Sequence, residues 1–223
     1  MKTLKRHTRR KQRGSSRAAT RSEPPGRFFG HNKQSSQRIS SGDETFEIIT
    51  ILSPTPADNR IIKDLFIGNK LHITDSNIDM HLEGEDYDAV IFVRNLTKDD
   101  RAVATLQYYG WCGRSTAKKL WINDISRIGS ERAALSPVKI LMDYAKFLAH
   151  KKSLAYIYLL VDESDKNIKP ADGSWKSLTT LYSSKYNFST NKSSCVIGGD
   201  SFTTMKASVP RDLKNLSSNF TFP

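Results

Sequence analysis

The stretch KLWINDISRIGSERAALSPVKILMDYAKFLAHKKSLAYIYLLVDE, Lys119–Glu163, decides the fold. Its first ten residues, KLWINDISRI, read as a strand rich in β-branched and aromatic side chains. A helix is predicted from about Pro137 to Lys152. Proline is tolerated at a first helical position because its missing N–H has no partner there anyway, and Ser136 just before it is a good N-cap. SLAYIYLLVDE (Ser153–Glu163) is the most apolar run of the chain and reads as a central strand buried on both faces. Strand, helix and strand in this order join parallel strands by a right-handed crossover. The intervening turn, RIGSERAALSP, delivers the free N–H groups of a helix start to one point, which is how chains build phosphate cradles.

On the N-terminal side, TFEIITIL (Thr45–Leu52) is a strand that ends at Ser-Pro-Thr-Pro, because proline cannot donate to a ladder. ADNRIIKDLFIGN places Ile61, Ile62, Leu65 and Phe66 at helical spacing and stops at Gly68-Asn69. The acidic DSNIDMHLEGEDYD is an irregular connection. YDAVIFVRN (Tyr87–Asn95) and RAVATLQYYG (Arg101–Gly110) form a hairpin across LTKDD. On the C-terminal side, SWKSLTTLYSSKY is a helix, and SCVIGG and SFTTMKASV are short strands. The order β–α–β–β–β–α–β–α–β–β predicts an α+β fold, a mixed, mostly antiparallel sheet flanked by helices.

The formal charge of +12 is unevenly spread. Residues 1–41 carry 12 Lys/Arg and the single acid Glu23, leaving the other 182 residues at +1. Residues 1–43 hold too little apolar surface to offset the entropy of ordering them and are expected to be disordered, with Phe28-Phe29 as a short sticky spot. The cluster KRHTRRKQR (Lys5–Arg13) is suited to nuclear targeting or nucleic-acid contact. The plainer reading is a solvated tail that attracts polyanions without specificity. The expected organisation is a basic tail over 1–43, one domain over 44–209 and a C-terminal tail over 210–223.

No run approaches the roughly 20 apolar residues of a membrane span, and no apolar segment follows the charged start as in a secretory signal. An intracellular, cytoplasmic or nuclear location is expected, with no membrane contact. Cys112 and Cys195 provide neither metal spacing nor a disulfide framework and fit a reducing compartment, one disulfide being the alternative. The five histidines do not cluster by spacing, so no metal is expected. No phosphate-binding glycine loop or dinucleotide fingerprint is present, which removes any positive signal for nucleotide hydrolysis or hydride transfer.

The element order, the stretch Lys119–Glu163 and LTTLYSSKYNF (Leu178–Phe188) together resemble the GCN5-related N-acetyltransferase (GNAT) superfamily, over roughly residues 44–208. The resemblance implies a GNAT-like fold, acetyl-CoA as acetyl donor, and direct attack by a primary amine of an acceptor the sequence does not identify. In this family the turn and helix start receive the pyrophosphate, and the next strand splays from its neighbour to admit the pantetheine arm. The implied contacts are Ile125, Arg127 and Ile128 of the strand, Arg132, Ala133, Leu135 and Ser136 of the turn, and Val138 and Lys139 of the helix start. The family turn is written Arg/Gln-x-x-Gly-x-Gly/Ala. One register of this chain sets Ala133, Ser136 and Val138 at its defined positions, and the other sets Arg132, Leu135 and Pro137 there. Neither keeps a glycine. Near the end, Asn187 stands for the glycine of a Gly-Phe pair, a mild exchange because asparagine tolerates left-handed backbone.

Amine acetylation needs the amine deprotonated and the leaving thiolate stabilised. Asp124 interrupts an apolar strand and, by period 2, shares a face with Leu120 and Ile122. Partial desolvation there raises a carboxyl towards the useful range. The competing reading is a strand-end carboxylate in water or paired with Arg127. Asp162 and Glu163 are weaker candidates for the same role. Tyr182 matches the tyrosine that the resemblance assigns to the leaving thiolate, against the plainer reading of a half-buried aromatic. Tyr108, Tyr109 and Trp111 are candidates for an acceptor channel or simple packing. A second function class remains beside the enzyme: a catalytically inactive GNAT-like domain whose tail binds nucleic acid or another polyanion. The start MKTLKRHTRRKQRG also resembles, in composition, basic N-termini of proteins encoded by large DNA viruses.

Overall fold

The β-branched runs assemble into a single eight-stranded sheet in a computed structural model, which describes residues 28–67, 88–98, 100–107, 119–128, 137–161, 177–197, 200–216 and 219–223. The strands are β1 (Lys33–Ser41), β2 (Glu44–Leu52), β3 (Ala89–Asn95), β4 (Arg101–Gln107), β5 (Leu120–Ile128), β6 (Tyr156–Val161), β7 (Ser189–Ile197) and β8 (Asp200–Ser208). The helices are α1 (Asn59–Ile67), α2 (Pro137–Lys151) and α3 (Leu178–Tyr186). Spatial order is β1-β2-β3-β4-β5-β6-β8-β7. Strands β1 to β5 form an antiparallel meander. Strand β6 joins β5 in parallel after the α2 crossover, and β8 and β7 complete the sheet antiparallel. This is the mixed, mostly antiparallel α+β arrangement that the sequence predicts.

Alternation along the strands divides the core between two faces. Phe46, Ile48, Ile91, Ala104, Leu120, Ile122, Ile157, Leu159 and Met205 face α2 and α3 in one large cluster. Helix α2 is buried along most of its length, from Pro137 to Ala149, because it lies across the centre of the sheet against β3, β4, β5 and β6. Ile51, Val90, Phe92 and Val103 point the other way, where Ile62 and Leu65 of α1 cover them.

Ordered structure begins earlier than the expected boundary at residue 44. Strand β1 pairs along its whole length with β2, and Phe29 is buried in the main core. The polar composition of KQSSQRISS hid this strand, yet an edge strand needs one apolar position per inward turn, and Ile39 supplies it. The expected C-terminal tail is also docked. Phe220 sits 5.3 Å from Tyr144 and 5.7 Å from Phe147, and the Thr221 backbone exchanges hydrogen bonds with the Gln37 side chain. Strand β6 differs from its expected two-sided burial. Ile157, Leu159 and Val161 are buried, whereas Tyr156 is 40% exposed. Tyrosines serve such a face because each has an apolar body and a polar tip.

Asp58 ties β1 to the turn before α1. Its carboxylate accepts from Asn32 Nδ2 (2.7 Å), Gln34 Nε2 (2.5 Å), the Thr55 hydroxyl (2.8 Å) and the Thr55 N–H (2.7 Å). Burial alone would raise its pKa. The hydrogen bonds from Thr55, Gln34 and Asn32 outweigh it and hold the carboxyl below the usual range. A depressed carboxyl stabilises the fold above the unfolded value of about 3.9, and that contribution is lost as pH falls through the folded pKa. Asp58→Ala is therefore expected to cost about 1.5–3 kcal/mol at neutral pH, and less in acid below pH about 3. Urea unfolding at both pH values checks this.

Candidate functional site

A strand that leaves one neighbour while keeping the other must open the sheet. β5 stays paired with β4 out to Ile128↔Arg101, but its pairing with β6 covers only Leu120↔Ile157, Trp121↔Tyr158 and Ile122↔Leu159. Beyond that point β6 continues with β8, through Leu160↔Thr204 and Val161↔Thr203. Residues 123–128 of β5 and 160–161 of β6 thus have no strand partner in the register between these two strands. Their backbone donors and acceptors line the opening.

The cause sits in β5. Its register against β4 jumps from Leu106↔Ile122 to Ala104↔Ile125, so Asn123 and Asp124 together oppose the single residue Thr105. This is a β-bulge, which bends the strand and increases its local twist. The bulge interrupts the simple alternation expected along this strand. Alternation resumes at Ile125, which is half-buried against the α2 side of the core. The Asp124 backbone lies in the bulge, where β5 and β6 part.

Helix α2 opens with Pro137 and Val138, both buried. The Val138 side chain belongs to the core, so only its backbone is available to a ligand. Lys139 is partly exposed and pairs with Asp143 at 3.0 Å one turn later. These residues line a cavity of about 400 Å³ between α2, the end of α3 and the C-terminal segment. Lys146 and Lys185 also line it. Burial pushes the Lys146 ammonium below its ordinary pKa; Asp143 opposes that shift and Lys139 adds to it. Sequence reading passed over Lys146 and Lys185, although Lys139, Asp143 and Lys146 at i, i+4 and i+7 mark one helix face. Arg127 and Ile128 are placed by backbone at the end of β5, opposite Ala102 and Arg101. Arg132, Ala133, Leu135 and Ser136 lie outside the described residues, as do Tyr108, Tyr109, Trp111, Asp162 and Glu163.

Tyr182 lies in the middle of α3. Ser177 caps the helix start by accepting the Thr180 N–H at 3.2 Å. Asn187 ends it in the left-handed conformation (φ 59°, ψ 35°), its N–H directed to the Tyr182 carbonyl. Asparagine thus fills the place where the resemblance has glycine. The Tyr182 ring meets Tyr186 at 6.0 Å and Phe188 at 6.2 Å and packs against the main core. Burial, with Tyr186 beside it, pushes its phenol well above the usual value. Such a phenol stays protonated at neutral pH, so it can donate a hydrogen bond to a nearby thiolate, although its proton is held more tightly than a thiol's.

Cys195 is buried in β7 and disulfide-bonded. The chain has one other cysteine, Cys112, which lies outside the described residues. The bond is the alternative that the two cysteines left open, in place of the reduced pair that fits a reducing compartment. Among the described residues no group of three or more His, Cys, Asp or Glu is placed to hold a metal ion. No described helix is long and apolar enough to cross a membrane.

No family model matches the chain, and no curated protein matches it. Among solved structures it is similar to a crystal structure of a GNAT-family acetyltransferase from Listeria monocytogenes 4b F2365. Identity is 18% and the TM-score 0.46, over 77% of this chain and 99% of that one.

Proposed function

We propose that this chain transfers the acetyl group of acetyl-CoA to a primary amine by direct attack. The parting of β5 and β6 at the β5 bulge carries the reading. An opened parallel pair offers two rows of unpaired backbone groups, and an extended chain containing amides can add to such an edge as a strand would. The amides of the pantetheine arm fit that chemistry. The free N–H groups at the start of α2 and the charges of Arg127, Arg132 and Lys139 are suited to phosphate oxygens, with Ala133, Leu135, Ser136 and Val138 contributing backbone from the turn and helix start. Ile125 and Ile128 supply apolar contact along β5.

In this reading Asp124 receives the amine proton, directly or through a water. The amine nitrogen attacks the thioester carbon, the C–S bond breaks, and Tyr182 donates a hydrogen bond to the departing sulfur. Isothermal titration with acetyl-CoA is expected to show binding at sub-millimolar concentration, and Tyr182→Phe is expected to lower kcat about tenfold or more with binding retained. Absence of binding at millimolar acetyl-CoA would reject the reading. The absence of glycine at the positions where the family turn has it supports the other reading, an inactive fold, because a side chain there opposes close approach of phosphate oxygens to the backbone.

A further inference from the structure

The sheet face opposite α2 carries a set of side chains that acetyl transfer does not use. Leu120, Ile122, Ile157, Leu159 and Met205 point towards α2, so Trp121, Tyr156, Tyr158 and Lys206 point away from it. Of the described helices, α2 and α3 pack on the other face and α1 covers β2, β3 and β4. The rings form a row: Trp121 and Tyr158 are 5.2 Å apart and Tyr158 and Tyr156 6.4 Å apart. Trp121 is buried, while Tyr156 is 40% exposed. Two ammonium groups flank the row. Lys119 Nζ lies 5.0 Å from the Tyr158 ring, and Lys206 Nζ lies 4.8 Å from the Tyr156 ring.

Tyr156 also lines a groove of about 490 Å³ with His150, Leu154, Pro210 and Arg211. The groove floor is fixed, because the Val209 N–H donates to the Ala155 carbonyl at 2.9 Å and the His150 ring bonds the Pro210 carbonyl at 3.0 Å. Exposed Arg211 adds charge at the rim. The neighbouring acid, Asp212, is occupied in capping the next turn through the Lys214 N–H at 2.9 Å. Lys152 lies over the Phe28 and Phe29 rings, at 5.3 and 5.5 Å, and Lys152 is four residues, no more than about 14 Å of chain, from Tyr156. Residues 1–27 carry ten Lys/Arg and one acid.

We infer that this face, Tyr156 and Tyr158 with Lys119, Lys206 and Arg211, docks single-stranded nucleic acid. An exposed ring such as Tyr156, with half-buried Tyr158 beside it on the same face, can stack unpaired bases, and flanking cations take the phosphates. Charge alone would draw any polyanion, including duplex DNA. The rings make the difference, since a duplex keeps its bases stacked inside.

The test is fluorescence anisotropy of the full chain with labelled oligo(dT) and oligo(U) of about 20 nucleotides and with a duplex of equal length. At about 0.1 M salt, a single strand is expected to bind at least about fivefold more tightly than the duplex. Tyr156→Ala should weaken single-strand binding about tenfold while leaving duplex binding unchanged, and Tyr156→Phe should restore it. Lys206→Ala and Arg211→Ala should each lower the salt slope of single-strand binding by about one. The two oligonucleotides decide between DNA and RNA. The inference is overturned if duplex or heparin binds as tightly as single strands, or if Tyr156→Ala leaves single-strand affinity unchanged. Should Tyr156→Ala fail to melt cooperatively, Lys206→Ala and Arg211→Ala at the surface decide the matter on the same criterion.

Discussion

Under the proposed function, Asp124→Asn is expected to lower the rate of acetyl transfer by about 10²–10⁴-fold, the usual contribution of a positioned acid or base, and to leave the melting temperature close to that of the parent chain. Asparagine keeps the size of the side chain and removes only its capacity to take a proton. Asp124 is singled out by its place in the backbone. With Asn123 it opposes the single residue Thr105, and the β5–β6 register ends at the residue before that pair, Ile122. That backbone position is where β5 leaves β6, on the strand to which the proposed function brings the acyl group. The measurement is kcat/KM against pH with an amine acceptor. The parent chain should lose rate as pH falls through the carboxyl pKa, and the variant should lack that limb. A variant rate within about threefold of the parent would remove Asp124 from the chemistry.

Tyr144→Ala has the largest expected effect on stability. Tyr144 is fully buried at the centre of α2, stacks on Phe147 at 5.8 Å and receives Phe220 from the C-terminal segment at 5.3 Å. Its hydroxyl oxygen accepts from buried Thr50 at 3.2 Å. Truncation removes the ring, leaves a cavity beneath Phe220 and strands the Thr50 hydroxyl. Large aromatic truncations in cores cost about 3–5 kcal/mol, against a total of about 5–15 kcal/mol for a domain of this kind. Tyr144→Phe keeps the ring and is expected to cost about 1 kcal/mol. Urea unfolding should show the midpoint falling steeply for Ala and slightly for Phe at unchanged m-value. Equal midpoints for the two variants would mean that the ring, and with it the docking of Phe220, contributes little.

Periodicity and turn chemistry made the centre of the fold legible. The start of α2 at Pro137, the parallel β5–β6 pair and the β7–β8 hairpin all follow from local signals. The left-handed Asn187 matches what the resemblance to a Gly-Phe pair implies. What stayed hidden depends on pairing between distant segments. Strand β1 is polar at most positions and gains its place only through β2. The β5 bulge has no sequence mark, because nothing in WINDI shows that Thr105 of β4 will face two residues. That single insertion interrupts the alternation along β5. Tyr156 and Tyr158 read as core because the run SLAYIYLLVDE is apolar throughout, and only the absence of a covering described helix distinguishes their face from that of Ile157 and Leu159. The disulfide at Cys195 was legible only as an alternative, since two cysteines in a chain do not disclose their separation in space.

Under the proposed function, the opening between β5 and β6 takes the pantetheine arm of acetyl-CoA. Amide hydrogen exchange with and without saturating acetyl-CoA tests it most directly. The account predicts slowed exchange at residues 123–128, at Leu160 and Val161, and at the first N–H groups of α2, with β1, β2 and β3 unchanged. Unchanged exchange along 123–128 and 160–161 while the cofactor is bound would place the ligand elsewhere and contradict the claim.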